Sequence, residues 1–214
     1  MKINKFVLGA VFTAGLMSIN AWGQQPLEDI SHTPAFLASS SDIYNNTATP
    51  FAGNPQGTLT IVEYYDYQCH YCKASEAGLE QLLQSDRTVK IIFKDFPKLG
   101  PMSATLAMGT LAAQRQGADK YLALHQMLLK PQTVVANEDA FYELAGSLGF
   151  DVVRLKKDMV DPVITNQITN NILVGKSIGV QMTPTFIVNG HFVPGGHDYN
   201  EMQQIIAYTQ SASR

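Results

Sequence analysis

Val62-Glu63-Tyr64-Tyr65-Asp66-Tyr67-Gln68-Cys69-His70-Tyr71-Cys72-Lys73 contains both cysteines of the chain, spaced as Cys-x-x-Cys. The run leading into it, Thr58 to Tyr65, is dense in Thr, Ile, Val and Tyr and reads as a buried strand. From His70 the apolar period becomes helical, through Ala74, Ala77, Gly78, Leu79, Leu82 and Leu83, and it stops near Ser85-Asp86. Val89 to Phe93 reads as a second strand, closed by Lys94-Asp95-Phe96-Pro97. Strand, helix and strand within roughly 35 residues make a βαβ unit, parallel and right-handed by the crossover rule.

The position of the cysteines suggests redox chemistry. The thiolate is the reactive form, so a nucleophilic cysteine needs a depressed pKa. Cys69 stands where the helix begins, and unpaired N–H groups and the positive end of the helix dipole stabilise an anion there. His70 can add positive charge and a donor. Cys72 falls one turn in, where its sulfur can be buried. This makes Cys69 the attacking thiol and Cys72 the resolving one. As a structural staple the pair would be poor: closing so short a loop contributes about 2 kcal/mol before strain. Alternation places Glu63 with Leu59, Ile61 and Tyr65 on one strand face. A carboxyl on an apolar face should have a raised pKa and cost stability unless it is used, or else it lies at a strand end open to water.

Further along, a block of helices is expected. Met102 to Gln116 stops at Gly117, and Asp119 caps a helix carrying Tyr121, Leu124 and Leu128. Asn137 and Asp151 cap two more, and Asp161-Pro162 opens a fifth that ends at Gly179. His125 reads as a packed or surface helix residue. Thr185 to Val188, Asn189-Gly190 and His191 to Val193 form a hairpin with a type I′ turn, and Asp198 caps a last helix.

A βαβ unit with Cys-x-x-Cys at its helix start, followed by Met182-Thr183-Pro184-Thr185-Phe186 before a ββα unit, resembles the thioredoxin fold. The intervening helices resemble the insertion of the DsbA-like family of exported thiol–disulfide oxidoreductases. The expected fold class is therefore α/β: a thioredoxin-like βαβ…ββα core with an all-helical insertion at about 101–179, in a domain spanning residues 58–210. The resemblance implies a cis Pro184 lying against the cysteines, with Thr183 before it, so that this segment and Tyr71 help bind substrate. It implies that Glu63 is a proton acceptor beneath the site, with Lys94 as a candidate partner. It implies unfolded or reduced exported proteins as substrates, a membrane redox partner, and no cofactor beyond the Cys69–Cys72 disulfide. The dipeptide His70-Tyr71 departs from the Pro-His of DsbA oxidases, and tyrosine next to the second cysteine resembles the disulfide isomerases. Oxidation is the leading expectation, with isomerase or reductase activity on the same fold as the alternative.

The address agrees with export. Lys2 and Lys5 precede an apolar stretch of 14 residues, Phe6 to Ile19, and Ala21-Trp22-Gly23 offers a cleavage site. Residues 1–23 are thus expected to be a signal peptide directing the chain to the periplasm, and an uncleaved anchor is the other reading. Cleavage leaves 13 basic against 18 acidic residues, a net charge of about −5. The absence of a basic run argues against nucleic acid as a partner. Residues 24–57, with Pro26, Pro34, Pro50 and Pro55, read as an arm or linker. They are too few for the separate domain through which bacterial isomerases dimerise, but a short arm could join protomers, so the oligomeric state stays open. A zinc module using His191 and His197 with the two cysteines has no usual ligand spacing, so no metal is expected.

Overall fold

In the computed structural model, residues 27–45 and 48–212 are described, and the expected signal segment at 1–23 lies outside them. At the centre, strand β3 (Leu59–Tyr65), helix α2 (His70–Ser85) and strand β4 (Val89–Asp95) form the βαβ unit. β3 and β4 pair in parallel, with Glu63 opposite Phe93 and Tyr64 opposite Lys94. Helices α3 (Pro101–Gln114), α4 (Ala118–Leu129), α5 (Glu138–Ser147), α6 (Val152–Met159) and α7 (Pro162–Ser177) follow, and then strands β5 (Thr185–Val188) and β6 (His191–Pro194) and helix α8 (Tyr199–Ala212). β5 returns antiparallel beside β3, placing Phe186 opposite Glu63. The result is a mixed sheet flanked by helices, a thioredoxin-like core with an all-helical insertion.

Several helix starts form where the sequence supplies a cap. The side chains of Asn137, Asp151 and Asp161 each accept a first-turn N–H, satisfying a donor the helix cannot. Asp198 and Glu201 cap α8 reciprocally. The α4 start differs: Gly117 is its N-cap, and Asp119 lies in the first turn. Asn189 and Gly190 both adopt positive φ, 49° and 79°, which the two-residue β5–β6 turn requires.

Alternation along β3 and β4 divides the core. Leu59, Ile61, Tyr65, Ile91 and Phe93 face α2, α8 and the insertion, whereas Val62, Tyr64, Ile92 and Phe96 face the other way. Burying each large apolar side chain contributes about 1.5–3 kcal/mol.

The second face corrects two expectations. Much of the segment expected as an arm or linker is built into the domain. β1 (Glu28–Asp29) pairs with β6, α1 (Pro34–Tyr44) buries Phe36 and Ile43, and β2 (Phe51–Gly53) pairs with β4. The sheet order is β1-β6-β5-β3-β4-β2. Pro34 starts a helix here instead of breaking one: it sits in the first turn after the Thr33 cap. Phe36 and Ile43, seven residues apart, fall on one helix stripe. The second correction concerns Lys94, which does not partner Glu63. It is one residue out of phase with Glu63's neighbour Phe93, so it points to the opposite sheet face. There its Nζ donates to the Asp42 carbonyl (2.6 Å) and to Thr49 Oγ1 (3.1 Å). Burial lowers its pKa to about 8, and its bonds hold the end of α1 and the segment that follows it on the sheet.

On the first face, a buried polar cluster joins the insertion to the core. The Tyr65 hydroxyl donates to Asp95 Oδ1 (2.9 Å), and the Tyr67 hydroxyl lies 2.8 Å from His125 Nδ1. The His125 ring packs among Phe93, Tyr65, Tyr67 and Tyr121. Burial raises the Asp95 pKa to about 7 and lowers that of His125 to about 3. Unfolded aspartate titrates near about 4. Between there and about 7, folded Asp95 keeps a proton that the unfolded chain releases, so its contribution to stability falls as pH rises. Asp95→Asn should gain stability relative to the wild-type protein across this window, on the order of 1–3 kcal/mol in urea denaturation. A difference that stays flat from pH 4 to 7 would show that Asp95 carries no such penalty.

Candidate active site

β3 delivers the chain to a tight turn in which the Cys69 N–H donates to the Asp66 carbonyl at 2.9 Å. Cys69 is the N-cap of α2, with φ −76° and ψ 120°, and no side-chain bond caps this helix. The first-turn amides are therefore left to the sulfur. The pair is present as free thiols, and Cys69 is 5 % exposed against 0 % for Cys72. The Cys69 pKa falls to about 5. The largest cause is a hydrogen bond from the Cys72 thiol; the Thr183 side chain and the amides of Cys72 and Tyr71 add to it, and burial opposes it. Losing the proton to reach the nucleophilic form is therefore easier for Cys69 than for an ordinary cysteine. Cys72 is pushed the other way, first by burial, then by its hydrogen bond to Cys69 and by the charges of Glu63 and Cys69. One sulfur is thus poised as an anion and the other as a neutral thiol.

The expected residues are mostly brought together. His70 and Tyr71 are exposed on the first turn, Tyr71 by 65 %, with their rings 5.7 Å apart. The Thr183–Pro184 peptide bond is cis, and the Cys69 thiol donates to the Thr183 carbonyl at 3.1 Å. The chain after β6 closes the other flank: a Cβ on Gly196 would sit 3.0 Å from the Tyr71 carbonyl oxygen, and the His197 N–H donates to Ser75 Oγ.

Glu63 lies beneath the cysteines, fully buried, and neither carboxyl oxygen has a hydrogen-bond partner among the described residues. Burial raises its pKa well above the ordinary value, and Glu76 and Cys69 raise it further. Sequence reasoning missed Glu76, which is buried on α2 with its pKa lifted to about 8 by burial and by Glu80. The available signal was spacing, since Glu76 follows Cys72 by four residues and shares its helix face. It also missed Asp66, whose carboxylate accepts the local Gln68 N–H and those of Lys98 and Leu99 in a distant loop.

An unsatisfied buried carboxyl is costly to keep. Glu63→Leu should stabilise the protein by about 1–3 kcal/mol and, if the carboxyl whose charge acts on Cys72 exchanges protons with it, slow thiol–disulfide exchange at least about tenfold. Chemical denaturation and insulin-reduction rates measure the two effects. A variant that exchanges at the wild-type rate would remove Glu63 from the mechanism.

The thioredoxin family model matches residues 45–207. Among solved structures, a thioredoxin-like oxidoreductase from Silicibacter pomeroyi DSS-3 is 31 % identical, with a TM-score of 0.75 over 80 % of this chain and 97 % of that one. Among curated proteins, disulfide bond formation protein D of Bacillus subtilis is 24 % identical over 166 residues, 73 % of this chain and 75 % of that protein. Na(+)/H(+) antiporter NhaA 3 of Salinispora tropica is 26 % identical over 164 residues, 76 % of this chain but 25 % of that protein. The chain thus spans about a quarter of the length of the antiporters it matches. With the family match running from Asn45 into α8 and the Cys69–Cys72 pair at the start of α2, the chain belongs to the thioredoxin family, in the DsbA-like group whose core carries a helical insertion.

Proposed function

We propose that the chain is a periplasmic thiol–disulfide oxidoreductase that introduces disulfides into reduced, unfolded exported proteins. The observation that carries this reading is the asymmetry of the pair: Cys69 is held near a pKa of about 5, and buried Cys72 is held well above its ordinary value. A reduced form stabilised in this way makes the disulfide a strong oxidant.

The reaction begins with the Cys69–Cys72 disulfide. A substrate thiolate attacks Cys69 Sγ, a mixed disulfide forms, and the electron pair of the broken bond leaves on Cys72. Cys72 then takes a proton, for which we assign the buried Glu63 carboxyl, whose charge acts on Cys72, as the carrier. A second substrate thiolate attacks the substrate sulfur of the mixed disulfide and expels the Cys69 thiolate. The substrate is oxidised to a disulfide, the enzyme is reduced to a dithiol, and a membrane redox partner reoxidises it. His70 and Tyr71 stand exposed at the entry, and the Thr183-Pro184 segment lies against Cys69 for an extended substrate to pair with. The isomerase direction rests on Tyr71 beside Cys72. It draws no support from a free N-terminal arm, because residues 28–53 contribute β1, α1 and β2 to the fold.

The test mixes the oxidised protein with a reduced, unfolded substrate and, separately, with a scrambled-disulfide substrate. Faster oxidation than reshuffling is expected, with Cys69→Ser inactive and Cys72→Ala, whose Cys69 thiolate attacks a substrate disulfide and releases a substrate thiolate, held as a mixed disulfide with the scrambled-disulfide substrate. Faster reshuffling would reverse the assigned direction, and full activity in Cys69→Ser would refute the exchange reading.

A further inference from the structure

α2 and the chain after β6 meet more closely than side chains allow. A Cβ on Gly196 would stand 3.0 Å from the Tyr71 carbonyl oxygen and 3.1 Å from Ser75 Oγ. One turn further along α2 the roles reverse: a Cβ on Gly78 would stand 2.7 Å from the Tyr199 nitrogen and 3.0 Å from the Asp198 carbonyl carbon. Each glycine admits the other element's backbone, so a close seam runs along the start of α2.

Ser75 lies in the middle of this seam, 1 % exposed. Its hydroxyl donates to the Tyr71 carbonyl at 3.1 Å and accepts the His197 N–H at 3.0 Å. A helical serine that only bonds back to the carbonyl four residues earlier needs no explanation. Here the same oxygen also takes a donor from another segment, and that segment leads to the thiol. Gly195, two residues before His197, has φ 93° and donates its N–H to the Pro184 carbonyl at 2.9 Å. Pro184 follows Thr183, whose carbonyl accepts from Cys69 Sγ at 3.1 Å. These bonds close a ring: from Cys69 to Thr183–Pro184, on to Gly195–His197, on to Ser75, and through the first turn of α2 back to Cys69. The Thr183 and Gly195 junctions are made by the main chain and the thiol. Ser75 supplies the remaining junction with its side chain.

We propose that Ser75 is a positioning residue: by holding residues 195–197 on the first turn of α2, it sets how closely the Thr183–Pro184 segment stands to Cys69 Sγ. The proposal rests on the exchange reaction proposed above. Without the hydroxyl, residues 195–197 lose that anchor on α2, and the Pro184 carbonyl bonded to Gly195 moves off with them. Two properties of the site should change. The Thr183 side chain is among the hydrogen bonds that lower the Cys69 pKa, so its retreat should raise that pKa. The backbone groups offered to an extended substrate are displaced as well, which weakens binding.

The experiment compares the wild-type protein with Ser75→Ala, Gly196→Ala and the double variant. Ser75→Ala removes the anchor from the helix side, and Gly196→Ala pushes the loop off from its own side. Cys69 alkylation in the reduced protein is followed against pH, and KM is measured for oxidation of a reduced, unfolded substrate. Each single variant should raise the alkylation midpoint by about half a pH unit and KM by about fivefold. The double variant should match the larger single effect, because both substitutions open one contact. Wild-type midpoint and KM in Ser75→Ala would overturn the proposal, and so would additive shifts in the double variant. A shift in Ser75→Ala that Gly196→Ala does not reproduce would also overturn it, since the serine would then act only within its own helix. A purely structural role would lower the urea midpoint of unfolding and leave the alkylation midpoint in place, which refutes positioning. Should Ser75→Ala fail to fold, Gly196→Ala carries the test, and an unmoved alkylation midpoint there refutes the ring. The wild-type protein separates the two levels. Failure of its oxidised form to oxidise the substrate would sink the proposed function, whereas normal oxidation with unmoved variants would sink this inference alone.

Discussion

The site depends on how one sulfur is solvated. Cys69 Sγ lies at the start of a helix with no side-chain cap, so the Cys72 thiol first, and then the Thr183 side chain and the first-turn amides, supply the hydrogen bonds a thiolate would otherwise take from water. Other elements serve this arrangement. β3 and the Asp66 turn place the sulfur at the end of the sheet, and the chain after α7 brings Thr183 against it from the other side. The insertion supplies none of these bonds. Its contribution reaches the site indirectly, through His125 packed on Tyr65 and Tyr67 at the end of β3.

Stability and chemistry pull against each other beneath the pair. Glu63 stands between Phe93 and Phe186 in the sheet register with no hydrogen-bond partner among the described residues, and Glu76 is buried on the overlying helix. Neither carboxyl would be retained by packing alone. Burial raises the pKa of both, that of Glu76 to about 8, so each holds its proton more tightly than an ordinary carboxyl. The Asp95–Tyr65 and Tyr67–His125 contacts are different. They lie at the joint between the insertion and the sheet, and their polar groups orient that joint.

How much of this was legible from the chain depended on the range of the interactions. The βαβ unit, the caps at Asn137, Asp151 and Asp161, and the Asn189-Gly190 turn are set by neighbouring residues, so local pattern revealed them. The Cys69, Cys72 and Thr183-Pro184 constellation was readable because each part carries its own motif. The N-terminal segment was not. A two-residue strand has no period, and Pro34 signals a break unless the Thr33 cap before it is known to start a helix. Lys94 was assigned to Glu63 because it ends the neighbouring strand, but a one-residue difference in register changes the sheet face, and register is invisible in one sequence. Asp66 escaped notice for a related reason: the amides of Lys98 and Leu99 lie more than thirty residues away.

The central claim, that Cys69 is held as a thiolate by the start of α2, is most directly tested by titrating it. The rate of Cys69 alkylation by iodoacetamide in the reduced protein, followed against pH, should show a midpoint at about 5. A midpoint near about 8.5, that of a free cysteine, would contradict the account.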